Sequence, residues 1–238
     1  MKPERHRIQY GERTIDFSVV RRDRTTLEIA VEPDTSVMVA APLDATIEVI
    51  KAKVHKRAAW IRRQQNFFIQ YMPRTPERRF VAGETHLYLG RQYRLKLVAH
   101  TQERVTLIRG FITVQTHRPG RPNVTRDLVE AWYREKAHLK FRERIEANLQ
   151  RFSNPEAFRP EGLIVRHLRQ RWGSMSPSHR LLLNHRLIEA PVGAIDYVIT
   201  HELCHIAEPH HGAKFFALMD RAMPDWPKRK GRLERLMA

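Results

Sequence analysis

The chain has 238 residues, a formal net charge of +17 and a sequence pI near 10.7. With 42% hydrophobic and 29% charged residues it is globular, which excludes a disordered chain, and nowhere do the ~18 consecutive apolar residues of a membrane span run together. The single cysteine, Cys204, excludes an intramolecular disulfide and suits a reducing compartment. Met1 to Arg13 is charged and has no apolar segment, so no signal peptide is expected and a cytoplasmic location is. The positive charge attracts polyanions, which makes nucleic acid a candidate partner beside the plain reading of a basic surface with no such role.

In chain order, the first forty residues alternate in polarity with a period of two. Gly11-Glu12, Arg22-Asp23-Arg24 and Pro33-Asp34 interrupt them, which predicts a meander of short antiparallel strands. Asp44 is the expected N-cap of a helix to about Tyr71, with Ile47, Ile50, Val54, Ala58 and Ile61 on its apolar face. The opposite face carries Lys51, Lys53, Lys56, Arg57, Arg62 and Arg63, read as a solvated face first and a phosphate-facing patch second. After a break at Pro73 to Pro76 come two hairpins, turning at Gly90-Arg91 and at Arg109-Gly110. The Pro- and Gly-rich stretch Arg118 to Asn123 marks the expected boundary between a β-rich region, residues 1–120, and a catalytic region, residues 121–238; one continuous domain is the other reading. No internal repeat stands out. A long amphipathic helix is expected from Val124 to about Phe152, offering Leu128, Trp132, Ala137, Leu139, Phe141, Ile145 and Leu149 to the core. Strands at Leu163 to Leu168 and Leu181 to Asn184 bracket Arg171-Trp172-Gly173-Ser174. An exposed strand edge there is a natural shelf for an extended peptide, and Trp172 can equally be a core anchor.

His201-Glu202-Leu203-Cys204-His205 follows an apolar lead-in, Ile195 to Thr200, that places it on a helix. Residues four apart share a helical face, so His201 and His205 can aim two imidazoles at one ion, the arrangement that tetrahedral zinc requires. Glu202 is placed to act as a general base on a metal-activated water. Pro209 ends the helix near Glu208, and His211, ten residues after His201, is the preferred third ligand, with His210 as the alternative. Three protein ligands with one open position is the catalytic zinc pattern. Cys204 points away from the histidines and reads as a small buried apolar residue. Tyr197, one turn before His201, can orient a ligand, donate to an oxyanion or only pack. Gly212 opens a further helix with Phe215 and Phe216, and a short basic helix follows Pro224, Trp226 and Pro227.

Arg171-Trp172-Gly173-Ser174, Leu183-Asn184, Arg186-Leu187-Ile188, Ala190-Pro191, Ile195-Asp196-Tyr197-Val198, the His201 to His205 motif and His211 with Phe215-Phe216 together resemble the YgjP-like zinc metallopeptidases, relatives of the SprT-like proteases. The resemblance is close from Leu163 to Met237. It implies an α+β fold with a zincin-like core, one Zn²⁺ on His201, His205 and His211, Glu202 as the base, and a peptide or protein substrate. Trp172, Gly173, Ser174, Asn184 and Tyr197 are the candidates for substrate binding or for supporting the ligands. The chain departs from the family at Met175, where a cysteine is usual, and at His185, where an aromatic is usual and an ionisable group facing the cleft is expected instead. Glu208 stands where metzincins have Gly, so that likeness is weaker. Two other readings use the same site: a nucleotide (UTP-type) pyrophosphatase, described for some family members, and a DNA-associated SprT-like protease. A Gly-rich phosphate loop and a carboxylate cluster for Mg²⁺ are both missing from the sequence.

Overall fold

The computed structural model describes residues 4–32, 34–69, 78–168 and 171–237; Pro33, the expected helix end at Tyr71 and the break at Pro73 to Pro76 lie outside them. The chain is mixed α and β and divides into two compact units, within residues 1–76 and 77–237.

In the first unit the alternating segments form β1 (Glu4–Tyr10), β2 (Arg13–Arg22), β3 (Glu28–Val31) and β4 (Val37–Pro42). Their order is β1-β2-β4-β3 with β2 and β4 parallel, which corrects the antiparallel meander. Alternation decides which face of a strand is buried, not which strand becomes its neighbour. The buried face, with Ile15, Phe17, Val19, Val37, Val39 and Ala41, packs on Ile50, Val54, Ala58 and Ile61. Those four residues lie on two helices rather than the one expected, α1 (Ile47–Lys56) and α2 (Ala58–Ile69), separated at Arg57. The cap of α1 is Thr46 rather than Asp44: its Oγ1 accepts from the Val49 N–H at 3.4 Å.

The second unit opens with β5 (Thr85–Tyr88), β6 (Arg91–Ala99), β7 (Arg104–Ile108) and β8 (Phe111–Thr116). Their order is β5-β6-β8-β7, again with the middle pair parallel, and a helix again follows, α3 (Pro122–Leu149). The topology of the first unit is thus repeated. Val37, Val39 and Ala41 of β4 correspond in register and burial to Ile112, Val114 and Thr116 of β8. The stretch Arg118 to Asn123 lies inside this second unit, joining β8 to α3, and the sheet and α3 share one core with the elements that follow. The core face of α3 is Val129, Trp132, Tyr133, Ala137, Phe141, Ile145 and Leu149; Leu139 is 60% exposed, because two residues from Ala137 and from Phe141 it lies on the opposite side of the helix.

Beyond α3, β9 (Gly162–Arg166), β10 (Gly173–Met175) and β11 (Arg180–Asn184) form a sheet of order β10-β11-β9. Then come α4 (Val192–Cys204), α5 (Ala213–Ala222) and α6 (Trp226–Met237). Two contacts fix α4, the helix of the histidine motif. The β5–β6 turn has positive φ at both Leu89 and Gly90, as a type I′ turn requires. It meets the start of α4 so tightly that a Cβ on Gly90 would lie 2.6 Å from Pro191 Cγ. On another side Asp196, 4% exposed, accepts from Arg144 Nε (2.7 Å) and Nη2 (2.9 Å) and from Asn148 Nδ2 (2.9 Å), while Thr200 Oγ1 donates to Asn148 Oδ1 (3.1 Å). A bidentate pair whose remaining lone pairs are satisfied can stay buried, and here it ties α4 to α3. Among the described residues no helix is long and apolar enough to cross a membrane.

Candidate metal centre

His201 lies in the last turn of α4 and His205 caps it; the helix ends at Cys204, earlier than Pro209 would dictate, and the chain then turns back to His211. One nitrogen from each of His201, His205 and His211 lies within 4.8 Å of the others, and the ring centroids are 4.7 to 5.0 Å apart. His211 rather than His210 joins the cluster. The Phe215 ring of α5 is packed under all three, at 5.0, 4.7 and 4.6 Å from the rings of His201, His205 and His211.

The donor set fits a divalent ion. His205 Nδ1 lies 3.0 Å from the Glu208 carbonyl, which accepts its proton and leaves Nε2 with a free lone pair. The Nε2 atoms of His211 and His201 are 2.9 Å apart. Burial, with the charges of His205, His211 and Lys230 behind it, pushes the His201 imidazole down to about 3. His211 is lowered as well, by burial and then by His205, Lys230 and His210. Neutral imidazoles are the form that binds metal.

Glu202 is 7% exposed, and burial pushes its carboxyl up to about 7 against the opposing pull of the Met175 backbone N–H and Arg171. Its neighbour is β10: a Cβ on Gly173 would lie 2.8 Å from Glu202 Cγ and 2.9 Å from Oε1, so the carboxylate occupies the space that a side chain would take. The register places this carboxylate at an open strand edge. Trp172 O accepts from the Asn184 N–H (2.9 Å) and the Ser176 N–H donates to Arg180 O (3.0 Å), so residues 172, 174 and 176 bond to β11. The main-chain groups of Gly173 and Met175 therefore project from the free edge, toward Glu202.

The other sequence-nominated residues fall into three places. Trp172 is half-buried against the core, and Ser174 Oγ accepts from Arg171 Nη1 at 3.3 Å. Asn184 straps down the loop before β10: its Nδ2 donates to Leu168 O (2.8 Å) and Arg171 O (3.3 Å), and its Oδ1 accepts from the Arg186 N–H (3.2 Å). Tyr197 is 9% exposed, its ring 5.9 Å from that of His201 and stacked on Trp226 at 6.2 Å; burial raises its phenol. His185 does not face the cleft: it is buried, 5.8 Å from the His167 ring and near Arg134 and Glu130 of α3. Cys204 is fully buried, and burial pushes its thiol up to about 12, consistent with an inert apolar filler. Sequence reasoning missed the steric reason for Gly173, the Met175 N–H and the position of Lys230. Gly173 and Met175 belong to a motif and were open to such a reading, whereas Lys230 has no signal beyond membership of a basic helix.

A family model described as YgjP-like, metallopeptidase domain, matches residues 25–236. No curated protein and no solved structure matches the chain.

Proposed function

The chain belongs to the YgjP-like metallopeptidase family, and from that premise we propose that it is a zinc-dependent peptidase with one Zn²⁺ held by His201, His205 and His211 and with Glu202 as its general base. The observation that carries the reading is a buried carboxyl, pushed up to about 7, beside three convergent imidazoles and an open strand edge. When bound, zinc supplies Lewis acidity that polarises the scissile carbonyl and brings the pKa of a water down to about 7. The residues of the chain do the rest. The outward main-chain groups of Gly173 and Met175, apart from the Met175 N–H that the Glu202 carboxylate accepts from, hold the substrate as an added strand. Glu202 accepts a proton from the attacking water and delivers it to the leaving amine, a task suited to a group poised near neutrality. The neutral state of His201 and His211 keeps their lone pairs available, and Phe215 holds the three rings in place. Asn184 fixes the loop that feeds β10. The fold around this site is a zincin-like core on this reading, and a single cysteine suits a reducing, cytoplasmic setting.

The test is cleavage of casein and of an internally quenched peptide mixture by the zinc-loaded protein and by its Glu202→Gln variant. Cleavage by the wild type, lost in a variant that still carries zinc, is the expected result. Equal cleavage by both would sink the assignment of the base, and no cleavage by the wild type would sink the peptidase.

A further inference from the structure

The basic face of the two helices in the first unit takes no part in the chemistry above. Residues 47–69 carry six cations against one carboxylate, Glu48. The break between α1 and α2 at Arg57 gives that face a shape. Lys53 and Lys56 near the end of α1, Arg57 at the junction and Trp60 in the first turn of α2 line a groove of about 700 Å³, together with Leu27 and Ile29 at the start of the edge strand β3. Trp60, Leu27 and Ile29 are half-buried against the core of the unit, and the three cations are exposed. No carboxylate lines the groove, and among the described residues none of Lys53, Lys56 and Arg57 has an ion-pair partner; the acid of β3, Glu28, is held by Arg24 at 2.9 Å. The Trp60 indole likewise has no hydrogen-bond or ring partner among the described residues.

Unpaired cations around an apolar floor call for a ligand that is anionic and apolar at once. The charge excludes a cationic or neutral partner, and the floor separates the remaining ones. A duplex keeps its bases stacked inside and offers phosphates alone, so it would leave the indole and the aliphatic groups uncovered. A peptide rich in Asp and Glu satisfies the cations but presents no flat face of the size of an indole. An unpaired nucleotide does both: its base stacks on an aromatic ring, and its phosphates meet ammonium and guanidinium groups beside that ring. We propose that this groove of the first unit binds single-stranded nucleic acid, with a base stacked on Trp60 and the neighbouring phosphates held by Lys53, Lys56 and Arg57. The site lies wholly within the first unit, uses none of the residues of the metal centre, and stands apart from the peptidase reading.

A formal charge of +17 attracts any polyanion from a distance, so the test compares groove variants with a variant of equal charge loss elsewhere. Fluorescein-labelled oligothymidylate of about 12 nucleotides is titrated by anisotropy against the full chain over a series of salt concentrations. Lys53→Gln, Lys56→Gln and Arg57→Gln combined are expected to weaken binding at least tenfold at low salt. They should also flatten the slope of log Kd against log salt by about 2, as the loss of three phosphate contacts to a single strand requires. Arg94→Gln, Lys96→Gln and Arg104→Gln combined, at exposed positions of β6 and β7, are expected to change affinity less than about threefold. Trp60→Leu is expected to lose about tenfold with the salt slope unchanged, and Trp60→Phe, which keeps a ring to stack on, to recover most of that loss. No binding by the wild type, an equal loss in the two charge variants, an unaltered affinity in Trp60→Leu, or a duplex of the same length bound as tightly overturns the inference. So does polyglutamate that displaces the strand as well as unlabelled oligothymidylate does, which would assign the groove to an acidic peptide instead.

Discussion

Replacing Glu202 by Gln is expected to stabilise the zinc-free protein at alkaline pH. Burial raises this carboxyl from an ordinary 4.5 to about 7. The folded state then holds the proton more tightly than the unfolded state does, so the cost of burying the charge is absent below pH ~4.5, grows between ~4.5 and ~7, and is complete above ~7. At ~1.36 kcal/mol per pH unit the full cost is about 3 kcal/mol, a large share of the stability of an ordinary domain, and at 7% exposure solvent screening takes little from it. Glutamine has the same shape and no charge. Urea unfolding of chelator-treated wild type and Glu202→Gln at pH 4.5 and pH 8 measures the difference, expected to be under ~1 kcal/mol at the lower pH and about 3 kcal/mol at the higher, with the variant more stable. A difference of the same size at both pH values, or a less stable variant at pH 8, would refute the claim that the carboxyl is held in a desolvated site.

Gly173→Ala should lower peptide cleavage at least tenfold with zinc content unchanged, because the new Cβ claims the space of the Glu202 carboxylate; a fully active variant would show that the carboxylate need not sit there. Arg144→Ala leaves the buried Asp196 carboxylate short of its bidentate partner and should cost about 3 kcal/mol or more in chemical denaturation; a loss within ~0.5 kcal/mol would mean that Asn148 and Arg229 suffice. Pyrophosphate release from UTP should be absent with and without a zinc chelator, and chelator-sensitive release would favour the nucleotide reading instead. Single- or double-stranded DNA should not displace a bound peptide from the zinc-loaded protein at low salt; displacement would favour the DNA-associated reading.

The site was more legible in the sequence than the fold around it. A helical spacing of four residues is a local rule, so His201, Glu202 and His205 follow from the chain itself, and His211 needs only a turn after the motif. The hairpin at Arg109-Gly110 and the long helix α3 are likewise local and formed as expected. Strand partnership is not local. The same alternation that identified β1 to β4 suits a meander as well as the order β1-β2-β4-β3, and the difference lies in which strand edges meet. For the same reason the repeated topology of the two four-stranded sheets leaves little trace in the residues: each position needs to be apolar or polar, not one particular amino acid. Leu139 shows the cost of reading composition without phase, and His185 the cost of assuming that an ionisable side chain near a site points into it.

Elemental mass spectrometry of the purified protein, wild type beside a His201→Ala, His205→Ala double variant, measures whether the three histidines hold an ion. About one zinc per wild-type chain is expected, lost in the variant while the fold, followed by circular dichroism, persists. A wild type that carries no metal even after zinc is added back, or a variant that retains it, would contradict the three-histidine site and the chemistry built on it.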